Sequence, residues 1–261
     1  MLSVNHLDIR FGEKHLFKDV SVQVYTGNRI GLIGVNGAGK TTLLNILSGL
    51  VNQDKGDIYF QGKAINKLRP HQRAAMGIGR TFQGGRVFHE STVLKNVVTG
   101  GHVRCSYNLF STIFKTKKFR CEEASLNQKG LMISKQAELE KDLHSKAGSL
   151  AYGQQRKVEI ARALSSDPKI LLMDEPTAGM SCVDFCKLMD FIRVLVAGGL
   201  SVLIVEHNMK LIMDICDQIV VLDFGEKIAE DVPERIRTNE KVISSYLGGP
   251  LEGAQARNAR D

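Results

Sequence analysis

The segment Gly34-Val35-Asn36-Gly37-Ala38-Gly39-Lys40-Thr41-Thr42 constrains this chain more than any other stretch. It runs through closely spaced glycines into a lysine and a hydroxyl residue, the pattern of a loop that cradles phosphates. Both flanks fit. Arg29-Ile30-Gly31-Leu32-Ile33 reads as a short buried strand, and Thr41 to Leu50 carries apolar residues at helical spacing. Anion binding needs that order, because backbone N–H groups freed by glycine must converge at a helix N-terminus to hold phosphate oxygens. The backbone of Asn36, Gly37, Ala38 and Gly39 is then the cradle, and Lys40 reaches the β and γ phosphates of a nucleotide. Thr41 places its hydroxyl on Mg²⁺, which leaves Thr42 to pack or to contact the α phosphate. A glycine-rich turn with a chance lysine is the competing reading, and the matching flanks weigh against it.

The rest of the chain alternates in a way that suits an α/β core. Leu2 to Phe11 and Val20 to Val24 alternate in part between apolar and polar, as sheet strands do, and Gly56 to Lys63 predicts an antiparallel hairpin. Phe11 stands 29 positions before Lys40 (40 minus 11), where an aromatic either stacks on a purine or fills a strand core. Ile78 to Gln83 reads as a core strand whose polar end, Gln83, is placed to reach a metal or water near the phosphates, since ligands collect at the carboxyl ends of parallel strands. From Val93 to about Gly148 the pattern turns helical and charged, which predicts a helical insertion.

Lys169-Ile170-Leu171-Leu172-Met173 is a continuous apolar run that delivers Asp174 and Glu175 to a sheet edge. Asp174 suits Mg²⁺, and Glu175 suits the water that attacks the γ phosphate, because a carboxylate committed to a metal cannot also act as the base. Ser201 to Val205 predicts another buried strand, with Glu206-His207-Asn208 at its carboxyl end, where His207 can bridge the γ phosphate and the catalytic water. Gln218 to Leu222 and Lys227 to Glu230 form a last strand pair around Phe224-Gly225, and Gly248 to Asp261 is small and polar, expected to be disordered.

With 261 residues and 43% hydrophobic composition the chain can bury a large core without covalent staples. Its five cysteines, at 105, 121, 182, 186 and 216, show no paired spacing, so they suggest neither a disulfide framework nor zinc, and a reducing cytosol fits best. No apolar run approaches a membrane span and the N-terminus lacks a signal-peptide pattern. The net charge of +7 is spread along the chain except in Lys115-Thr116-Lys117-Lys118-Phe119-Arg120, which reads as a solvated loop or helix end and not as a nucleic-acid patch.

Ser149-Leu150-Ala151-Tyr152-Gly153-Gln154-Gln155-Arg156-Lys157 resembles the signature segment of ATP-binding cassette ATPases. The resemblance extends from Leu2 to Leu247, because Phe11, the phosphate loop, Gln83, this signature, Asp174-Glu175-Pro176-Thr177 and His207 stand in the family's order. Arg80 to Gln83, Arg86-Val87-Phe88, Thr92 to Val97 and Val205 to Lys210 are most similar to the ATP-binding subunits of branched-chain amino-acid importers and their urea-type relatives. The resemblance implies an α/β P-loop NTPase with a RecA-like parallel-sheet core, an antiparallel β subdomain and an inserted α-helical subdomain at about 93–165. Residues 1–247 then form one nucleotide-binding domain and 248–261 a tail.

The same resemblance implies ATP and Mg²⁺ as ligands, with Thr41, Gln83 and Asp174 at the metal and Glu175, His207 and Gln83 in hydrolysis. Two cassettes, alike or different, pair head to tail, and Ala151, Tyr152, Gly153 and Gln154 face the nucleotide held by the opposite chain. The implied partners are integral-membrane permease subunits, which would meet Gly84 to Asn96, and indirectly an extracytoplasmic solute-binding protein, with no nucleic acid. The chain would sit on the cytoplasmic membrane face through protein contacts and not through lipid insertion. Two departures stand out: Ala151 fills a position where serine is usual, and Ala178-Gly179-Met180-Ser181-Cys182 replaces an expected Ala-Gly-Leu-Asn-Pro, which brings the helix entry there into question. A urea or lipid-exporting complex and a soluble nucleic-acid-linked cassette are the alternatives, the last disfavoured because the chain has one cassette and no zinc module or long coiled coil.

Overall fold

Among the described residues ten strands carry the fold: β1 Leu2–Phe11, β2 Lys14–Val24, β3 Arg29–Gly34, β4 Lys55–Phe60, β5 Lys63–Ala64, β6 Ile78–Arg80, β7 Ile170–Asp174, β8 Ser201–Val205, β9 Gln218–Asp223 and β10 Glu226–Asp231. The structure is a computed structural model that describes residues 1–11, 14–35, 37–82 and 87–247. They gather into two compact units, Met1–Leu47 with Val51–Asn66 and Leu203–Asp261, and Ser48–Leu50 with Lys67–Val202.

The first unit holds an antiparallel sheet in the order β2-β1-β4-β5. The expected hairpin is present, with Phe60 opposite Lys63 across a two-residue turn. Strand β2 starts at Lys14, six residues before the alternation becomes visible at Val20. The reason is a bulge: Leu7 pairs with Val20 but Ile9 pairs with Phe17, so the shift keeps Leu7, Ile9, Phe17 and Val20 all buried while breaking the period of two. The same unit contains β10-β9-β3 and the carboxyl part of β8. Strands β3 and β9 are parallel, with Leu32 opposite Val220, and their near-continuous apolar runs are what a sheet covered on both faces requires. The helix Met209–Ile215 packs on β3, with Ile212 against Gly31.

The second unit pairs β6 and β7 in parallel, Gly79 opposite Leu171, beside the start of β8. Around them stand the helices Pro70–Met76, Val93–Gly101, Leu109–Ile113, Lys117–Gln136, Tyr152–Leu164 and Cys182–Ala197. Val93–Gly101 lies against Tyr152–Leu164 with backbone nearly touching backbone, since a Cβ on Gly100 would fall 1.8 Å from the Arg162 carbonyl oxygen. Only glycine permits that crossing. Asn96, fully buried on the first of these helices, accepts from Phe88 N–H at 2.8 Å and donates to the carbonyls of Phe88 and Thr92 at 3.0 Å, so it fixes the segment that precedes the helix.

Candidate active site

In the first unit, β3 ends at Gly34 and the helix Lys40–Leu47 begins six residues later. Gly39 has φ +95°, a left-handed conformation, and a Cβ there would lie 2.6 Å from the ring of buried Phe17. Both constraints select glycine. Lys40 is only 7% exposed, and its ammonium donates to the carbonyls of Gly34 at 2.8 Å and Val35 at 3.1 Å. The loop therefore folds back over its own lysine and holds a fixed positive charge at the start of the helix, where the helix dipole adds to it. Thr41 and Thr42 follow on the first turn, half-buried, and Gly37 and Ala38 lie in the turn before it. Asn36 lies outside the described residues, as does the side chain of Phe11.

Strand β8 brings a second set of groups to this unit. Glu206 N–H donates to the Leu32 carbonyl at 3.3 Å, which sets the end of β8 level with the end of β3. Glu206 is buried, and His207 next to it is exposed. Asn208 then caps the helix Met209–Ile215 by accepting from Leu211 N–H at 3.2 Å. His207 thus sits at a strand-to-helix turn with its exit direction fixed by the cap.

In the second unit, β7 is buried along its whole length and presents Asp174 at its carboxyl end, 1% exposed. The sequence reading missed its neighbour. Arg80, at the end of β6, lies 3.8 Å from the Asp174 carboxylate, donates to Ser48 Oγ at 2.6 Å and is itself almost wholly buried. Burial lowers the Arg80 guanidinium from its ordinary value, with Asp174 pulling the other way. The available signal was a cation at the end of a three-residue core strand, a place where an unpaired charge is too costly to keep.

Glu175, the next residue, has φ 45° and is half-buried. A left-handed backbone costs a residue with a Cβ roughly 1–2 kcal/mol, and such strain persists where the surroundings impose it, commonly at functional sites. Gln83 lies outside the described residues.

The signature region is the N-terminus of the helix Tyr152–Leu164, with Ala151 as an exposed N-cap that supplies no side-chain hydrogen bond. Arg156 organises it: the guanidinium donates to Tyr152 Oη at 2.7 Å, to the Phe82 carbonyl at 3.3 Å and, in a nearly dry pair, to Glu159 Oε2 at 2.8 Å. Phe82 follows β6, so the helix start and the exit of β6 share one cation. Gln154 donates to Asp142 at 3.1 Å. Replacing Arg156 with Met should cost about 3 kcal/mol or more in denaturant unfolding, because it leaves Glu159 buried beside an apolar chain.

Gly153 packs on the neighbouring helix Cys182–Ala197, where a Cβ would stand 3.0 Å from the Asp184 side chain. That helix enters cleanly despite its unusual Ser181-Cys182 start, since the Ser181 hydroxyl accepts from Asp184 N–H at 3.1 Å and donates to its carboxylate at 2.7 Å. Serine thus does locally what the expected Asn-Pro would do, and the doubt over the helix entry is resolved. A cavity of about 390 Å³ also opens in this unit, lined among others by Leu50, Ile78, Phe82, Phe88, Val103 and Arg162, with the Arg162 guanidinium 5.1 Å from the Phe88 ring centroid.

Comparison with known proteins gives consistent matches. The profile of the ABC transporter family matches residues 17–178, and one described as branched-chain amino acid ATP-binding cassette transporter matches residues 226–252. The chain is 38% identical over 253 residues to the high-affinity branched-chain amino acid transport ATP-binding protein BraF of Pseudomonas aeruginosa, covering 95% of this chain and 98% of that protein. It is 38% identical over 249 residues to LivG of Escherichia coli, a protein of the same description, covering 95% and 98%. The lipopolysaccharide export system ATP-binding protein LptB of Acidithiobacillus ferridurans is 34% identical over 252 residues, covering 97% and 98%. Among solved structures, a nucleotide-free ATP-binding cassette from an ABC transporter superimposes with TM-score 0.82 at 32% identity, covering 94% of this chain and 98% of that one. A dimeric cassette in a post-hydrolysis state bound to ADP and Pi has TM-score 0.75 at 26% identity, covering 89% and 99%.

Proposed function

Because the chain belongs to the ABC transporter family as an ATP-binding, ATP-hydrolysing cassette, we propose that it powers the import of branched-chain amino acids through a membrane permease. The observation that carries the choice of solute class is the second match, residues 226–252, which belongs to a branched-chain cassette profile and covers the β10 side of the first unit. The 38% identity to BraF and LivG, against 34% to LptB, supports the same choice.

In this proposal the chain forms one nucleotide-binding domain over 1–247, and the N–H groups of residues 36–39 with Lys40 grip the ATP phosphates while Phe11 stacks on the base. Thr41 offers a hydroxyl and Asp174 a carboxylate, with Gln83, to Mg²⁺; that donor set is oxygen-only and sparse, which suits an ion that keeps waters and shares phosphate oxygens. The buried Arg80 guanidinium, 3.8 Å from the Asp174 carboxylate, offsets part of its charge in the low-dielectric end of β7. Mg²⁺, when bound, neutralises phosphate charge that builds during transfer. Glu175 takes the proton of the attacking water, and His207 orients that water and the γ phosphate.

The partner cassette contributes its Ala151-Tyr152-Gly153-Gln154 helix start to the opposite face of the nucleotide. Permease subunits contact the segment around Phe88 and the cavity beside it, an extracytoplasmic binding protein supplies the solute, and nucleic acid has no role. No described helix is long and apolar enough to cross a membrane, and the proposed location is the cytoplasmic membrane face, held peripherally. The test is coexpression with branched-chain amino-acid permease subunits, purification of the complex and ATP-driven uptake into vesicles. Leucine uptake supports the proposal, whereas uptake of urea alone or ATP-dependent extraction of lipid would reject it in favour of the corresponding relatives.

Ala151 separates the two tasks of the signature helix. Ala151→Ser supplies the missing cap and should raise stability by about 0.5–2 kcal/mol. It should change ATP turnover by less than about tenfold, since backbone donors already occupy the helix N-terminus and the added hydroxyl therefore realises only part of the about 1.5–3 kcal/mol that a hydrogen bond to a charged group can contribute. Ala151→Asp is an equally good cap but sets a carboxylate against phosphate. Its melting temperature should rise while turnover by the assembled complex falls at least tenfold. Parallel behaviour of the two variants in both measurements would reject the facing of this helix to a nucleotide. Gly153→Asp should nearly abolish turnover, but it also presses a second carboxylate on Asp184, so Ala151 is the cleaner position.

A further inference from the structure

The short helix Leu109–Ile113 and the turn behind it carry an apolar face that stays largely exposed. Phe110, Ile113 and Phe114 are 66%, 64% and 63% exposed. They stand at i, i+3 and i+4, so they share one side of the helix, and the two phenyl rings touch at 4.4 Å between centroids. The face is braced. Asn108 caps the helix by accepting from Ser111 N–H at 2.9 Å, and the Tyr107 ring meets Phe119 edge-on at 5.0 Å. Thr116 Oγ1 accepts from Phe119 N–H at 3.4 Å to start the long helix Lys117–Gln136.

Four cations follow within six residues, Lys115, Lys117, Lys118 and Arg120, all exposed. None of them forms an ion pair among the described residues. Lys118 donates to the Ser106 carbonyl at 3.3 Å. The two carboxylates of this stretch are turned to other donors. Glu122 accepts from Ser106 N–H at 2.9 Å and Ser106 Oγ at 2.7 Å, and Glu123 accepts from Tyr107 Oη at 2.5 Å and pairs with His102 at 3.1 Å. Ser106 hydrogen bonding, with Lys118 nearby, holds the Glu122 carboxyl below its ordinary value, so it stays charged yet already satisfied.

We propose that Phe110, Ile113 and Phe114, with Lys115, Lys117, Lys118 and Arg120, dock the chain on an anionic phospholipid surface at headgroup depth. An apolar tip rimmed by exposed cations matches the two terms of that surface, hydrocarbon boundary and negative headgroups, and a braced tip loses little freedom on docking. A nucleic acid would meet the cations but leave Ile113 without a matching surface. This departs from the expectation that membrane attachment uses protein contacts alone. The basic run was visible in the sequence, and the exposure of the three apolar side chains was not. The inference takes from the proposed function only that the chain works beside a membrane, and vesicle binding does not depend on which solute moves.

The test is flotation of the full chain with vesicles of phosphatidylcholine alone and of phosphatidylcholine containing one quarter phosphatidylglycerol, at low and at raised salt. The expected result is binding to the anionic vesicles only, weakened by salt. With about fivefold in partitioning per cation, the triple variant K115Q/K117Q/K118Q should lose roughly a hundredfold. The double variant F110S/F114S should lose at least tenfold, with a circular dichroism spectrum and ATP turnover like those of the parent. Equal binding to both vesicle types, or variants that partition like the parent, would overturn the proposal. So would the outcome in which F110S/F114S keeps its vesicle behaviour but fails to copurify the permease, because the face would then belong to a protein partner.

Discussion

Lys40→Ala abolishes ATP hydrolysis and weakens ATP binding by tenfold or more. Its ammonium is nearly buried, and the loop carbonyls of Gly34 and Val35 hold it in place before any nucleotide arrives. The charge is therefore positioned in advance, and the substitution removes the one fixed cation of this loop. A hydrogen bond to a charged group contributes about 1.5–3 kcal/mol, which alone corresponds to roughly ten- to hundredfold in affinity, and the loss grows as charge builds on the γ phosphate. The fold should survive, since alanine is a good helix former at the first helical position. Fluorescent-nucleotide titration, phosphate release and a melting curve on the same preparation check all three statements. Unchanged turnover in the folded variant would reject the phosphate-loop assignment.

Glu175→Gln separates binding from chemistry. The amide keeps the shape and loses the basicity, so ATP binding persists while turnover falls by about a hundred- to ten-thousandfold, the usual contribution of general base catalysis. With hydrolysis stalled, MgATP should hold two cassettes together, and size-exclusion chromatography should show a dimer that ADP does not support; coexpression with a second cassette covers the case of a mixed pair. The backbone at Glu175 supplies a further comparison. Its φ of 45° is unfavourable for glutamate and glutamine alike, so Glu175→Gln should leave stability unchanged. Glu175→Gly relieves the backbone strain but also gives up the side chain's own contacts, and it should lose turnover as fully as the glutamine variant.

Much of the candidate site was legible because it is built from contiguous residues. The phosphate loop, Asp174-Glu175 and Glu206-His207 are each a strand end followed by a turn, and a strand end is marked by where an apolar run stops. The strand and helix order followed from the same local periodicities, except where a bulge broke the alternation, as between Leu7 and Val20. The signature helix was legible as a pattern, but its bracing was not.

What the sequence alone determined, then, is the family, the order of elements and where the candidate site residues stand on them, since all of these are written in stretches short enough for spacing to carry them. Tertiary structure decided the groups that only meet across the chain. Arg80 stands 94 positions before Asp174 (174 minus 80) and still lies within 3.8 Å of it, and Arg156 joins Tyr152 to the Phe82 carbonyl 74 positions away. It also decided what stays exposed. Phe110, Ile113 and Phe114 have the spacing of a core-facing helix, and nothing local distinguishes an apolar face that finds a partner from one that does not. Burial is a property of everything packed around a residue, and no window of sequence contains that.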